Sequence, residues 1–127
     1  MKDIAEGKAA IESRLEPNEA VKSSILCAYN ARMYAHFSPY RGILAATDKR
    51  LLFYSSLFGS PFYLDIRYES VSSFRHEKGL MIGGDHIVVM NNGEREAFQY
   101  FNGCDHLDSF IKAVQKLNRL PEGSIHV

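Results

Sequence analysis

Two Asp-His pairs are the residues whose types come closest to a reactive constellation. Asp85-His86 and Asp105-His106 sit in the similar contexts GGDHI and GCDHL, twenty residues apart. Imidazole nitrogen and carboxylate oxygen both ligate divalent cations, and the four groups would suffice for one ion if the start of a late strand met the start of the final helix. Within each pair, however, the residues are adjacent and point apart, whereas zinc sites show a closely spaced ligand pair. The two pairs therefore read as turn and helix-cap residues. No metal and no other cofactor is expected.

Covalent chemistry finds no better footing. Ser, His and Asp are all present, but no G-x-S-x-G nucleophile elbow and no Cys-His arrangement can be placed. Cys27 lies in an apolar strand-like run and Cys104 just before a helix, without CxxC spacing, so both are expected as free thiols. Gly79, Gly83 and Gly84 make a flexible loop and not a phosphate cradle, because no Lys-Ser/Thr and helix follow them. The chain is expected to be no enzyme.

What remains is binding. The segment NARMYAHFSPYRG brings Arg32, Tyr34, His36, Phe37, Tyr40 and Arg41 close together, with Lys49 following on a later turn. Large aromatics with Arg are the types enriched at interface hot spots, although aromatics equally serve cores. The charge is unevenly spread: residues 1–19 carry −2, residues 20–67 carry +4 and residues 68–127 carry −2. A basic first half would meet phosphate or an acidic partner. With a net charge of zero, nucleic acid is not an expected partner.

The elements that must position these residues follow from periodicity. At 127 residues the chain forms one domain able to bury roughly two-thirds of its unfolded surface. No apolar run reaches the roughly 18 residues of a membrane span, and the charged start MKDIAE lacks the apolar core of a signal peptide, so a cytoplasmic location is expected. Residues 3–15 predict a helix with a thin stripe of Ile4, Ile11 and Leu15, weakened at Gly7 and ended by Pro17. So thin a stripe must lean on the domain or on another subunit.

From Val21 the pattern turns to strands. Val21–Tyr29 is the first, and residues 30–40 are read as a loop with some strand extension, broken by Pro39. Two apolar runs, Ile43–Ala46 and Leu51–Tyr54, flank the polar Thr47-Asp48-Lys49-Arg50 and predict a hairpin of strands two and three. Strands four to seven are placed at residues 62–67, 71–75, 86–90 and 95–101, with Phe58-Gly59-Ser60-Pro61 as a turn and Asn92-Gly93 as a type I′ turn. Leu107, Phe110, Ile111, Val114 and Leu117 then mark one face of a terminal helix stopped by Pro121.

Seven short strands closed by an amphipathic helix resemble the pleckstrin-homology (PH) superfold. Gly42-Ile43-Leu44-Ala45-Ala46-Thr47-Asp48-Lys49-Arg50-Leu51-Leu52-Phe53 is similar to the G-x-L-x-x-T-x-x-R-L-x-F hairpin of the YokE-like bacterial PH family, which is related to GRAM domains. YESVSSFRHEKGLMIGG, residues 68–84, resembles the same family's segment before its sixth strand. The resemblance spans about residues 15–120 and implies a mostly β fold: a partly open barrel of seven antiparallel strands capped by a C-terminal helix. It divides the chain into an extra N-terminal helix, residues 1–16, and a PH-like domain, residues 17–127.

Many PH domains hold phosphoinositide head groups with basic residues on the first two strands and the loop between them. The resemblance makes Lys22, Arg32, Arg41 and Lys49 the counterparts, with His36 in the loop, while Ile43 stands where the eukaryotic pattern has a basic residue. The expected function is a non-enzymatic interaction module acting by protein–protein contact or self-association as a homo-oligomer. The alternative is a peripheral membrane module whose basic first half attracts anionic lipid weakly.

Overall fold

The computed structural model describes the backbone of residues 2–33, 36–57, 60–77, 86–100 and 107–117, and the side chains of residues 5–29, 41–56, 60–77, 86–100 and 107–117. Helix α1 is Lys2–Glu12, strands β1 to β4 are Val21–Met33, His36–Thr47, Arg50–Leu57 and Ser60–Arg67, and a 3-10 turn follows at Tyr68–Ser70. Strands β5 to β7 are Val71–Glu77, His86–Asn91 and Glu94–Tyr100, and helix α2 is Leu107–Leu117. All strand pairs are antiparallel, in one open sheet of order β4-β3-β2-β1-β7-β6-β5. Among the described residues the pairing of β1 with β7 covers Cys27–Tyr29 against Phe98–Tyr100, and this seam joins the two halves.

In the segment read as a loop with some strand extension, residues 30–33 and 36–40 are strand. β1 runs on to Met33 and β2 begins at His36, with Asn30 opposite Pro39 and Met33 opposite His36. Pro39 is tolerated because β2 pairs with β3 only over Gly42–Ala46, so at residue 39 the strand has one described neighbour and its missing N–H breaks no second ladder. Pro61 sits in the same way on the edge strand β4. Helix α1 also ends earlier than expected, at Glu12. There the Ser13 hydroxyl donates to the Ala10 carbonyl at 2.6 Å, and Arg14 N and Leu15 N reach back three residues to tighten the last turn.

Two hydrophobic cores account for the unbroken apolar runs of the hairpin. Leu44, Ala46, Leu51 and Phe53 point into the main core with Ile66, Ile87, Val89 and Phe98, which α2 closes with Leu107, Phe110 and Val114. Ile43, Ala45, Leu52 and Tyr54 point to the opposite face and form a second core with Ile11 of α1. Strands covered on both faces have no polar side to show, so alternation disappears from the sequence. The thin helix leans on its own domain.

Glycine matters where backbones come close. A Cβ on Gly42 would lie 1.9 Å from the Tyr54 carbonyl oxygen, and one on Gly7 would lie 2.6 Å from Ile43 Cδ1. Gly7 therefore weakens α1 as a helix while letting it press against the sheet. Asn92 and Gly93 have φ of 53° and 83°, as the type I′ turn between β6 and β7 requires.

Phe110 and Val114 are both fully buried beneath α2. Phe110→Ala is expected to lower unfolding stability by about 3–5 kcal/mol in urea titration, and Val114→Asp to prevent cooperative folding. If both variants unfold like the parent, α2 does not close the core. Gly42→Ala is expected to destabilise strongly as well, because the clash is with backbone that cannot rotate away.

Candidate binding surface and its polar anchor

The backbone first separates the expected binding residues into two places. Beyond Tyr29 on β1 and Gly42 on β2, the two strands pair only with each other among the described residues, forming a two-stranded ribbon. Four residue pairs, Asn30–Met33 against His36–Pro39, extend it by about 13 Å at ~3.3 Å per residue. The backbones of Arg32, His36, Phe37, Tyr40 and Arg41 belong to this ribbon and its base. Tyr34 and the side chains of Arg32, His36, Phe37 and Tyr40 lie outside the described residues, while the Arg41 side chain is exposed.

The base of the ribbon is firmly built. Ser55 Oγ donates to the Arg41 carbonyl at 2.6 Å where the β2–β3 ladder ends. Tyr29 turns inward, with ring centroids 5.7 Å from Phe53, 5.9 Å from Phe62 and 5.3 Å from Phe98, and its hydroxyl donates to Glu96 at 2.6 Å. This aromatic belongs to the core. The ribbon beyond it keeps two strand edges without a described partner, each presenting backbone donors and acceptors.

Lys49 stands at the other end of β2, on the two-residue turn Asp48-Lys49. Neither turn residue has a positive φ, so the turn is not of the primed kind. Side chains hold it instead: Thr47 Oγ1 accepts from Lys49 N and Arg50 N, both at 3.0 Å. Asp48 bridges to the chain before β1, with Ala20 N donating to its carboxylate at 3.1 Å and Asp48 N donating to the Ala20 carbonyl at 3.2 Å. Lys49 itself faces Glu16 at 3.7 Å and the Pro17 carbonyl at 3.4 Å.

Arg50 is the centre of this polar cluster and is buried. Its Nε and Nη2 donate to the two oxygens of Glu19 at 2.9 and 3.0 Å, Nη1 donates to Asp65 at 2.5 Å, and Nη2 also reaches the Arg14 carbonyl at 2.9 Å. Glu19 further accepts from Thr47 Oγ1 at 2.6 Å and from Glu16 N at 2.8 Å. Around the rim, Arg67 pairs with Glu16, Arg14 stacks 3.7 Å over the Tyr63 ring, and the Tyr68 hydroxyl donates to the Thr47 carbonyl at 2.7 Å. Burial alone would raise the Glu19 carboxyl, but hydrogen bonds from Arg50, Thr47 and Glu16 N override it and hold it at about 2. Burial, with the nearby Asp48 and Glu19 charges, pushes the Tyr68 phenol up.

Sequence reasoning placed Arg50 in the polar tetrad of the hairpin, where the structure gives it two carboxylates and a backbone carbonyl. It missed Glu19 and Asp65 as the partners, since nothing in residue spacing links positions 19, 50 and 65. The only cue was the polar Thr47 and Arg50 set among apolar runs. The basic excess of residues 20–67 is also half answered: Lys49, Arg50 and Arg67 pair with Glu16 and Glu19 from outside the segment and with Asp65 inside it. Of the two Asp-His pairs, only His86 is described, opening β6 opposite Glu77 and Gln99; Asp85, Asp105 and His106 lie outside the described residues. Among the described residues no three His, Cys, Asp or Glu gather as metal ligands.

The sequence profile of the family described as Bacterial PH domain matches residues 15–116. No curated protein matches the chain. Among solved structures, the C-terminal domain of an unknown protein from Leishmania infantum superposes with a TM-score of 0.64 at 17% identity, covering 90% of this chain and 94% of that one. The Vps36 N-terminal PH domain gives 0.64 at 12% identity over 82% of each chain. The hSac2 domain from the human phosphoinositide phosphatase Sac2 gives 0.61 at 8% identity, over 87% of this chain and 77% of that one. At such identities the likeness is one of fold.

The polar anchor predicts a defined acid limb. The Glu19 carboxyl lies below its ordinary value of 4.5 when folded, so its contribution is complete above about pH 4.5 and is lost as pH falls towards 2. The linked stability is on the order of 3 kcal/mol. Urea titrations between pH 2 and 7 should show this slope in the parent and a much flatter one in Glu19→Gln. Arg50→Ala, which strands a buried carboxylate, is expected to cost about 3–5 kcal/mol at neutral pH.

Proposed function

The chain belongs to the bacterial PH domain family, and on that premise we propose that it is a non-catalytic cytoplasmic module acting by protein–protein contact, including self-association into a homo-oligomer. The observation that carries this reading is the β1–β2 ribbon, whose edges pair with nothing else among the described residues. Open edges take up an added strand through main-chain hydrogen bonds, and flanking side chains then set specificity. The ribbon sequence supplies Arg32, Tyr34, His36, Phe37, Tyr40 and Arg41, types suited to anchoring such a contact. Lys49, held at the far end of β2 by Glu16 and Pro17, is more useful to the anchor than to this surface.

The membrane reading draws less support. It rests on a basic first half, and three of that half's six cations are committed to ion pairs. None of the described helices is long and apolar enough to cross a membrane.

Light scattering during size exclusion, from a few to on the order of 100 micromolar, is expected to show concentration-dependent association. Arg32→Glu with Phe37→Ser should abolish it while leaving the thermal melt unchanged. A parent that stays monomeric throughout overturns self-association. Co-sedimentation with anionic vesicles that Arg32→Glu and Arg41→Glu abolish would replace the proposal with the membrane reading.

A further inference from the structure

The ribbon has two edges, and backbone geometry makes them unequal. In an antiparallel ladder, a residue whose N–H and C=O face its neighbour exchanges both bonds with the residue opposite. Proline has no N–H to exchange, so Asn30–Pro39 is a non-hydrogen-bonded pair, and the Pro39 nitrogen and carbonyl turn away from β1. A separate contact gives the same direction. The carbonyl of Arg41, two residues on, is turned to β3 and accepts from Ser55 Oγ at 2.6 Å. A strand approaching the outer edge of β2 therefore finds no donor at Pro39 and an Arg41 carbonyl already in use.

The edge of β1 differs. Alternation makes Asn30 and Arg32, opposite Pro39 and Phe37, the residues whose N–H and C=O groups face away from β2. Ala28, in step with them, faces β7 opposite Gln99, and the described β1–β7 pairing ends at the next residue, Tyr29. Asn30 borders that seam, so Arg32 is the first such position clear of it. Neither residue is proline. The terminal strand β4 repeats the device of β2: Ser56–Pro61 is a pair of the same kind, which turns the Pro61 nitrogen off the outer edge of the sheet.

Resting on the self-association reading above, we propose that two copies of this chain meet β1 edge to β1 edge, and that Pro39 limits the assembly to a closed dimer. Were both edges competent, β1 of one copy would add to β2 of the next, a heterologous contact that repeats without end. A closed β2 edge leaves the isologous twofold contact, which uses up the β1 edge of both copies and stops at two.

Light scattering of the parent is expected to plateau at twice the mass of one chain. As concentration rises, the Arg32 amide should gain hydrogen-exchange protection and the Phe37 amide none. Arg32→Pro removes a donor that no described neighbour uses, so it should weaken dimerisation at least about tenfold with an unchanged melt. Phe37→Pro, on the β2 edge, should dimerise like the parent. Pro39→Thr restores a donor to β2 and should drive the mass past the dimer without a plateau. A dimer lost in Phe37→Pro but kept in Arg32→Pro, protection at Phe37, or a Pro39→Thr variant that stops at two overturns the edge assignment and leaves self-association standing. A parent that stays monomeric overturns both.

Discussion

The buried ion pair of Arg50 with Glu19 is the constraint on which the N-terminal half depends. A guanidinium taken out of water needs acceptors for its five N–H groups, and Glu19, Asp65 and the Arg14 carbonyl accept from four of them. Those acceptors come from two separate parts of the chain, residues 14–19 and β4. Satisfying one side chain therefore fixes the path of residues 14–19, the β2–β3 turn and the start of the β3–β4 ladder together. A buried pair contributes little net stability over an apolar one, but any half-paired arrangement is strongly penalised. Its effect is selective.

That selection places α1. With residues 14–19 held against the turn, the helix that precedes them falls across the outer face of β2 and β3. Ile11 then closes the second core, and the apolar outer residues Ile43, Ala45, Leu52 and Tyr54 are taken from solvent. The opposing charges of the first nineteen residues and the next segment meet at the same point, Glu16 and Glu19 facing Lys49, Arg50 and Arg67. What looked along the chain like separated acidic and basic blocks is, in space, one neutralised seam.

Much of the fold was legible because its signals are local. The Asn92-Gly93 turn follows from backbone sterics, and α2 from apolar spacing that a sheet has to cover. The apolar runs around Thr47–Arg50 marked the hairpin even though their lack of alternation concealed two buried faces. The ribbon was not legible, because Pro39 and a polar-aromatic mixture resemble a loop until one knows the strand has a single described neighbour there. Of the candidate surface, the residue types could be read but not their division between two ends of β2. Glu19 was hidden for a different reason: its partner is 31 residues away, and no periodicity encodes that distance.

The short seam between β1 and β7 has a consequence for how this chain reaches its native state. Hairpins β1–β2, β2–β3, β3–β4 and β6–β7 each close over few residues, whereas Tyr29 meets Glu96 across 67 positions. By the logarithmic cost of loop closure, that seam is about 2–3 kcal/mol dearer to form than a tight hairpin, and among the described residues three on each strand reward it directly. Buried Phe98 and Phe53 with the half-buried Tyr29, packed where the two halves meet, supply the rest. Two locally assembled sheets docking through an aromatic cluster is thus the order of events that the topology favours. On that order of events the docking step depends on those rings.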